Sequence, residues 1–374
     1  MRSARPRSAA LVTLAAATLV AVGVAASPAA SRAAPRVKLQ RAVDALAAAG
    51  APGAVALVRD GDRTIRVAGG YGNLAKRTPL GVRDRFRVGS STKSFVAAVV
   101  LQLAGERKLG LEDSVERWLP GLVPNGGQIT VRQLLNHTSG LADYAPEEDE
   151  TFIRRVLANR GKFWQPRELV AIGTGRQPLF APGARWSYSN TGWILLGLIV
   201  EAASGNPLAT ELRARIFAPL RLRATSFDTR SRITGRHAHG YSRFGARRRF
   251  DITALNQSWA WAAGAVVSTV GDLARFYRAL LDGRVVRPDQ LAEMKTTVPT
   301  PSPVQRYGLG LIRTRLPCGV FWGHGGETLG YQSFADSRAD GKRQVVIALN
   351  ADQSLLGPRA QRALERLRAI AYCR

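Results

Sequence analysis

The sequence predicts an α/β fold of the α+β kind: one antiparallel sheet assembled from both chain ends and flanked by helices, with a helical subdomain inserted over about residues 95–280. Three observations carry this expectation. Residues 53–67 hold two β-rich runs joined by Asp60-Gly61. Comparable runs return near the other end, at 307–313, 320–322, 331–337 and 344–350. Between the two groups, apolar residues recur at helical rather than alternating spacing.

Taken in order, Leu39, Val43, Leu46 and Ala47 space a first helix over 37–49. Asp60-Gly61 is the strongest short signal for a hairpin. Tyr71-Gly72-Asn73, surrounded by glycine, reads as a turn. Residues 90–105 are apolar at helical spacing, and short helices are expected over 109–119 and 130–135, separated by Pro120, Pro124 and Gly126-Gly127. Helical character continues at 168–174, 191–204, 207–217 and 271–281. Asp340-Gly341-Lys342 is a turn between late strands, and 358–372 closes the chain as an amphipathic helix.

The first residues read as an export signal. Arg2, Arg5 and Arg7 precede an uncharged stretch over 9–26, and Val24-Ala25-Ala26 and Ser31-Arg32-Ala33 both suit signal peptidase. Residues 1–34 are expected to be removed, leaving 35–374 as one secreted, extracellular domain. A retained anchor is the alternative, because the apolar run approaches the ~20 residues a spanning helix needs; its alanine content and small-residue exit favour cleavage.

Apolar content of 45% and charged content of 22% suit a globular core, but a net charge of +27 is unusual. The arginines are scattered, with Arg247-Arg248-Arg249 the longest run, which argues against nucleic acid as partner. Attraction to an anionic cell wall and a generally solvated, arginine-biased surface remain equal alternatives. Cys318 and Cys373 form an isolated pair, expected in an oxidising space to bridge a late loop to the last helix. His237-Ala238-His239 has no further ligand cluster, so neither metal nor cofactor is expected, and the protein is expected to be a monomer.

Chemistry is concentrated at three places. Lys93 is the one lysine with a serine three residues before it, Ser90. On a helix that spacing puts hydroxyl and amine on one face, where a base can take the serine proton. Tyr188 and Asn190, in Ser187-Tyr188-Ser189-Asn190-Thr191, pair a proton relay with an amide that can bind a substrate amide. Trp322-Gly323-His324-Gly325-Gly326-Glu327 puts a cationic-capable residue among small neighbours at a strand end.

In this order the motifs resemble those of the penicillin-recognising serine hydrolases, in the branch of the class C β-lactamases and soluble, secreted D-alanyl-D-alanine carboxypeptidases. The likeness extends to residues 86–95, 129–141, 182–191, Ser258-Trp259, Gly264-Ala265-Val266 and 307–311, and so to nearly the whole mature chain. It implies a β-lactamase/transpeptidase-like fold and an acyl-enzyme at Ser90, with Lys93 and Tyr188 sharing acid–base work in an order left open. Asn190 would hold the substrate amide, and His324 would support the proton network. Ser90 and Glu327 would supply the oxyanion-hole N–H groups, Phe152 and Trp259 would wall the cleft, and Gly325, Gly326 and Arg313 would border the substrate. His137 is expected to be structural.

The implied substrate is a small peptide, ester or β-lactam, foremost a peptidoglycan stem peptide cleaved by a carboxypeptidase. Esterase, D-amino-acid amidase or aminopeptidase, and β-lactamase are the alternatives; a non-enzymatic wall- or penicillin-binding protein is a further one, disfavoured by the full set of catalytic residue types. Carboxypeptidases of this likeness carry two hydroxyls and an arginine where this chain has Gly325, Glu327 and Ile312, with Arg313 one place later. These departures should weaken recognition of a free terminal carboxylate.

Overall fold

The computed structural model describes residues 28–146 and 150–373. Residues 1–27 of the expected leader lie outside the described residues. Ser31-Arg32-Ala33 and the expected boundary at 34/35 fall inside a continuous helix, Pro28–Ala48, rather than at a break.

Nine strands form the main sheet. Across it run Thr78–Pro79, Arg63–Asn73, Gly53–Asp60, Arg343–Leu349, Tyr331–Arg338, Gly319–Thr328, Ile312–Leu316, Gln305–Tyr307 and Val298–Pro299. Every pairing is antiparallel, and the two chain ends meet where Gly53–Asp60 lies beside Arg343–Leu349, from Ala54 opposite Leu349 to Asp60 opposite Arg343. The Asp-Gly hairpin forms as expected, with Asp60 opposite Arg63 and Gly61 at φ +56°.

Side chains alternate between the two faces of a strand, so one strand can serve two cores. On Gly53–Asp60, Val55 and Leu57 join the core on the side of the inserted helices, while Ala54, Ala56 and Val58 join the opposite one. Arg343–Leu349 repeats the split, Val346 and Ala348 against Val345, Ile347 and Leu349. The first core packs Phe95 and Val99 of the helix Thr92–Gly105 with Phe276 and Leu280 of Val270–Leu281. The second is closed by Leu39, Val43 and Leu46 of the first helix and by Leu364 and Leu367 of the last, Pro358–Cys373. Each such side chain contributes about 1.5–3 kcal/mol on full burial.

Three expectations are corrected. Tyr71-Gly72-Asn73 is the end of the strand Arg63–Asn73, not a turn, because Asn350 Nδ2 donates to Tyr71 O (3.0 Å) and Leu80 N to Gly70 O (3.1 Å). The expected strand over 307–313 is two strands, Gln305–Tyr307 and Ile312–Leu316, broken by a tight turn with Gly310 at φ +72°. Of 109–119 only Val115–Trp118 is helical, started by Ser114 Oγ accepting from Arg117 N. A small sheet of Phe86–Arg87, Val266–Ser268 and Ser226–Phe227 was not expected, its strands being too short to show a period.

Cys318 and Cys373 are bridged, 5.4 Å apart at Cα and 55 residues apart in sequence, tying the turn before Gly319–Thr328 to the end of the last helix. The intact mass without reductant should therefore be two hydrogens below that of the reduced protein, and replacing both cysteines by alanine should lower unfolding stability by up to about 4 kcal/mol, the chain-entropy figure for a loop of this size. Two freely alkylated thiols in the native protein would contradict the bridge.

Candidate active site

Ser90 lies in a single 3-10 turn, Gly89–Ser91, that runs into the helix Thr92–Gly105. The turn is fastened to the sheet: Ser91 Oγ donates to His324 O (3.0 Å), and Ser333 Oγ donates to Val88 O (2.9 Å). One helical turn on, Lys93 is fully buried, with Nζ 3.0 Å from Ser90 Oγ, 2.8 Å from Asn190 Oδ1 and 2.9 Å from Ala263 O. Burial disfavours the ammonium and lowers its pKa to about 7, while the Asp143 carboxylate works in the opposite direction. Near neutrality the amine is therefore available in its basic form.

Tyr188 O–H donates to Ser90 Oγ at 2.8 Å, so the expected hydroxyl, amine and phenol do converge. The Tyr188 ring also lies under Lys93 Nζ (4.9 Å to the centroid) and stacks on His137 at 4.2 Å. His137 is buried at φ +63°, accepts from Ser189 N at Nδ1 (3.0 Å), and is held well below its usual pKa, first by burial and then by Lys93. It is a neutral support behind Tyr188. Asn190 opens the helix Asn190–Ser204; its Nδ2 donates to Asp143 Oδ2 (2.8 Å), which turns its oxygen toward Lys93.

The strand Gly319–Thr328 passes so close to the serine turn that only glycine fits. A Cβ on Gly326 would lie 2.0 Å from Val88 O and 2.7 Å from Ser90 N, and one on Gly89, at φ +52°, would lie 2.5 Å from Glu327 O. This contact brings the backbone N–H groups of Ser90 and Glu327, the expected oxyanion donors, onto adjoining segments. Gly325 is different: the nearest atom to a Cβ there would be Ser333 O at 3.4 Å, an ordinary van der Waals contact that a methyl can make. The exposed Glu327 carboxylate accepts from Gln353 N (2.7 Å) and Gln332 Nε2 (3.2 Å).

His324 departs from the expected cationic-capable role. It is 2% exposed, and burial, followed by the charge of Lys93, lowers its pKa to about 3. The neutral ring donates from Nδ1 to Gly325 O and accepts at Nε2 from Tyr307 O–H (2.8 Å), with its tautomer following from those partners. It meets Tyr307 rather than Ser90, and Tyr307 in turn stands edge-on to His137 (4.6 Å) and Tyr188 (6.5 Å).

Phe152 is also corrected: at 2% exposure it packs edge-on against Tyr144 (5.3 Å) and Trp164 (4.9 Å), a core aromatic rather than a cleft wall. Trp259 is 8% exposed, and its carbonyl accepts from Tyr144 O–H at 2.7 Å. Arg313, half-buried, sits opposite Trp322, two residues before His324 on that strand. Three contributors were missed. Asp143 lies just past the 129–141 segment and Tyr307 opens the 307–311 segment, so proximity to a motif was their signal; Ala263 O is a backbone group with none. Among the described residues no cluster of three or more His, Cys, Asp or Glu is placed to hold a metal ion.

A family model described as Beta-lactamase matches residues 39–370. Among solved structures, a D-stereospecific amidohydrolase from Streptomyces sp. superposes with a TM-score of 0.82 at 39% identity, covering 90% of this chain and 98% of that one. The D-aminopeptidase of Gluconobacter oxydans is 28% identical over 84% of this chain and 58% of its own length. Penicillin-binding protein 4* of Bacillus subtilis is 34% identical over 50% of this chain and 41% of its own. The chain thus spans about half the length of these two curated relatives.

The glycine contact yields a test that needs no knowledge of substrate. Gly326→Ala should force the strand from the serine turn and lower the rate of covalent modification of Ser90 on the order of 10²–10³-fold, the usual effect of losing an oxyanion donor. Gly325→Ala, with room for its methyl, should change it little. Equal rates in both variants, measured with an organophosphonate probe, would show that the close approach does not govern the site.

Proposed function

Because the chain belongs to the Beta-lactamase family and is a serine hydrolase of it, we propose that it hydrolyses amides and short peptides of D-amino acids through an acyl-enzyme at Ser90. The carrying observation is the pair of residues on the strand Gly319–Thr328 that stand where the resemblance would supply hydroxyls: Gly325 has none, and position 327 is an exposed glutamate. A free substrate carboxylate would meet repulsion there, modest because Glu327 is exposed; an amide or ester would not. The relatives named as a D-stereospecific amidohydrolase and a D-aminopeptidase support this reading over the carboxypeptidase. The likeness to a penicillin-binding protein keeps β-lactams as ligands that acylate the same serine.

In the proposed cycle neutral Lys93 takes the Ser90 proton as Oγ adds to the substrate carbonyl carbon. The oxyanion is met by the N–H groups of Ser90 and Glu327. The C–N bond then breaks, the leaving amine takes a proton from Tyr188, and Lys93 passes its proton to the Tyr188 oxygen. Water adds to the resulting ester by the reverse relay, freeing the acid and Ser90. Export, read from the leader, would set the reaction outside the cell, and the Cys318–Cys373 bridge supports that compartment.

A fluorophosphonate should label the wild type and not Ser90→Ala, and Lys93→Ala and Tyr188→Phe should each slow acylation ~10²–10⁴-fold, by much more than they lower stability. Labelling that persists at another serine, or near-normal turnover in both variants, would refute these roles.

D-Alanyl amides or esters should be cleaved at least as well as D-Ala-D-Ala, and Gly325→Thr combined with Glu327→Thr should shift preference toward the free acid. A strong wild-type preference for the dipeptide that Arg313→Ala abolishes would return the protein to the carboxypeptidases.

A further inference from the structure

We propose that Asp143 is a positioning residue for this site: by gripping the Asn190 amide it aims the amide oxygen at Lys93 and supplies the formal negative charge that faces the buried amine. The inference rests on the acyl-enzyme reading above, in which Lys93 must be neutral to act.

Asp143 is 9% exposed and almost fully engaged by N–H donors. Its Oδ2 accepts from Asn190 N (3.1 Å) and Asn190 Nδ2 (2.8 Å), and its Oδ1 from Ala145 N (2.9 Å). Asn190 is the first residue of a 15-residue helix, so the carboxylate also lies at the positive end of that helix. Burial raises its pKa, and these donors together with Lys93 work in the opposite direction, toward the ionised form.

An asparagine amide has the same shape either way round, and its orientation is fixed by its partners. Here one partner is a carboxylate, which only accepts, and the other an amine whose protonated form only donates. Turning the amide over would set oxygen against carboxylate and N–H against ammonium. Asp143 therefore determines that Oδ1 faces Lys93 Nζ at 2.8 Å, and it leaves the second Nδ2 hydrogen for a substrate carbonyl.

The groups facing Lys93 come from every side. Ser90 comes from the turn before its helix, Tyr188 and Trp193 present ring faces at 4.9 and 5.8 Å, and His137, His324 and Ala263 O close the remainder. Both imidazoles are kept neutral by burial, and burial pushes the Tyr144 and Tyr307 hydroxyls well up, so they stay neutral too. Among the described residues, Asp143 is left as the charge that favours the Lys93 ammonium. Removing it should make the amine lose its proton more readily.

The test is the pH dependence of the second-order rate constant for Ser90 labelling by a fluorophosphonate, which needs no natural substrate. In the wild type the rate should fall below a limb near pH 7, the value at which Lys93 becomes protonated. Asp143→Asn keeps an acceptor for Asn190 but not the charge, and should move that limb about one unit lower, the shift expected for losing a nearby opposite charge. Asp143→Glu, which keeps the charge, should leave the limb near the wild-type position. If Asp143→Asn does not fold, Asp143→Ser carries the same comparison. A folded, uncharged variant whose limb stays in place, or moves up, overturns the proposal and leaves Asp143 a purely structural group. Absence of any limb near 7 in the wild type would instead refute Lys93 as base, and failure to cleave D-amino-acid amides would refute the substrate assignment alone.

Discussion

Burial of the Lys93 amine is the constraint on which the rest of the site depends. An isolated ammonium in the interior is unfavourable by several kcal/mol even after relaxation, so the group must be met by acceptors or give up its proton. The three acceptors come from three places: Ser90 from the turn before its own helix, Asn190 from the start of Asn190–Ser204, and Ala263 from the short helix Trp261–Gly264. None is near another in sequence. The helices Asn190–Ser204 and Trp261–Gly264 must pack beside Thr92–Gly105 to bring them together, and that packing leaves an amine whose proton is loosely held.

A second constraint is steric. The serine turn and the strand Gly319–Thr328 touch backbone to backbone at Gly89 and Gly326, a distance no side chain permits. Ladder register then decides what else lies there. Gly326 stands opposite Ser333, whose hydroxyl reaches Val88 O, and Ser91 returns a bond to His324 O. The close approach of the Ser90 and Glu327 backbones thus follows from sheet pairing and two serines, which makes it a property of the packed fold.

The polar layer behind the nucleophile is neutral. His137, Tyr307 and His324 are rings linked by edge-to-face contacts and the Tyr307–His324 hydrogen bond, each held uncharged by burial. A second cation beside Lys93 would depress its pKa further and draw anionic leaving groups toward the strand; this chain has neither effect from His324. On the outer side Glu327 adds negative charge, anchored by Gln353 and Gln332. Gly325 and Glu327 stand where the carboxypeptidase pattern has hydroxyls, the departure on which the proposed preference for amides and esters rests.

Sequence alone determined what depends on local spacing: the Asp60-Gly61 hairpin, the split of strands between the chain ends, the helix that puts Ser90 and Lys93 a turn apart, and the pairing of Tyr188 with Asn190. These are read from periods and turn chemistry, which act over a few residues. Tertiary structure decided what depends on burial and on partners distant in sequence. Phe152 became core because its helix lies on Tyr144 and Trp164; Tyr71-Gly72-Asn73 became strand because Asn350 reaches Tyr71 O; and His324 became neutral because its surroundings exclude water. Ala263 O and Asp143 joined the site through a backbone carbonyl and a buried carboxylate whose roles exist only when chain segments far apart in sequence meet. A pKa and a rotamer are set by everything within a few ångströms, and that neighbourhood is written in no single stretch of the chain.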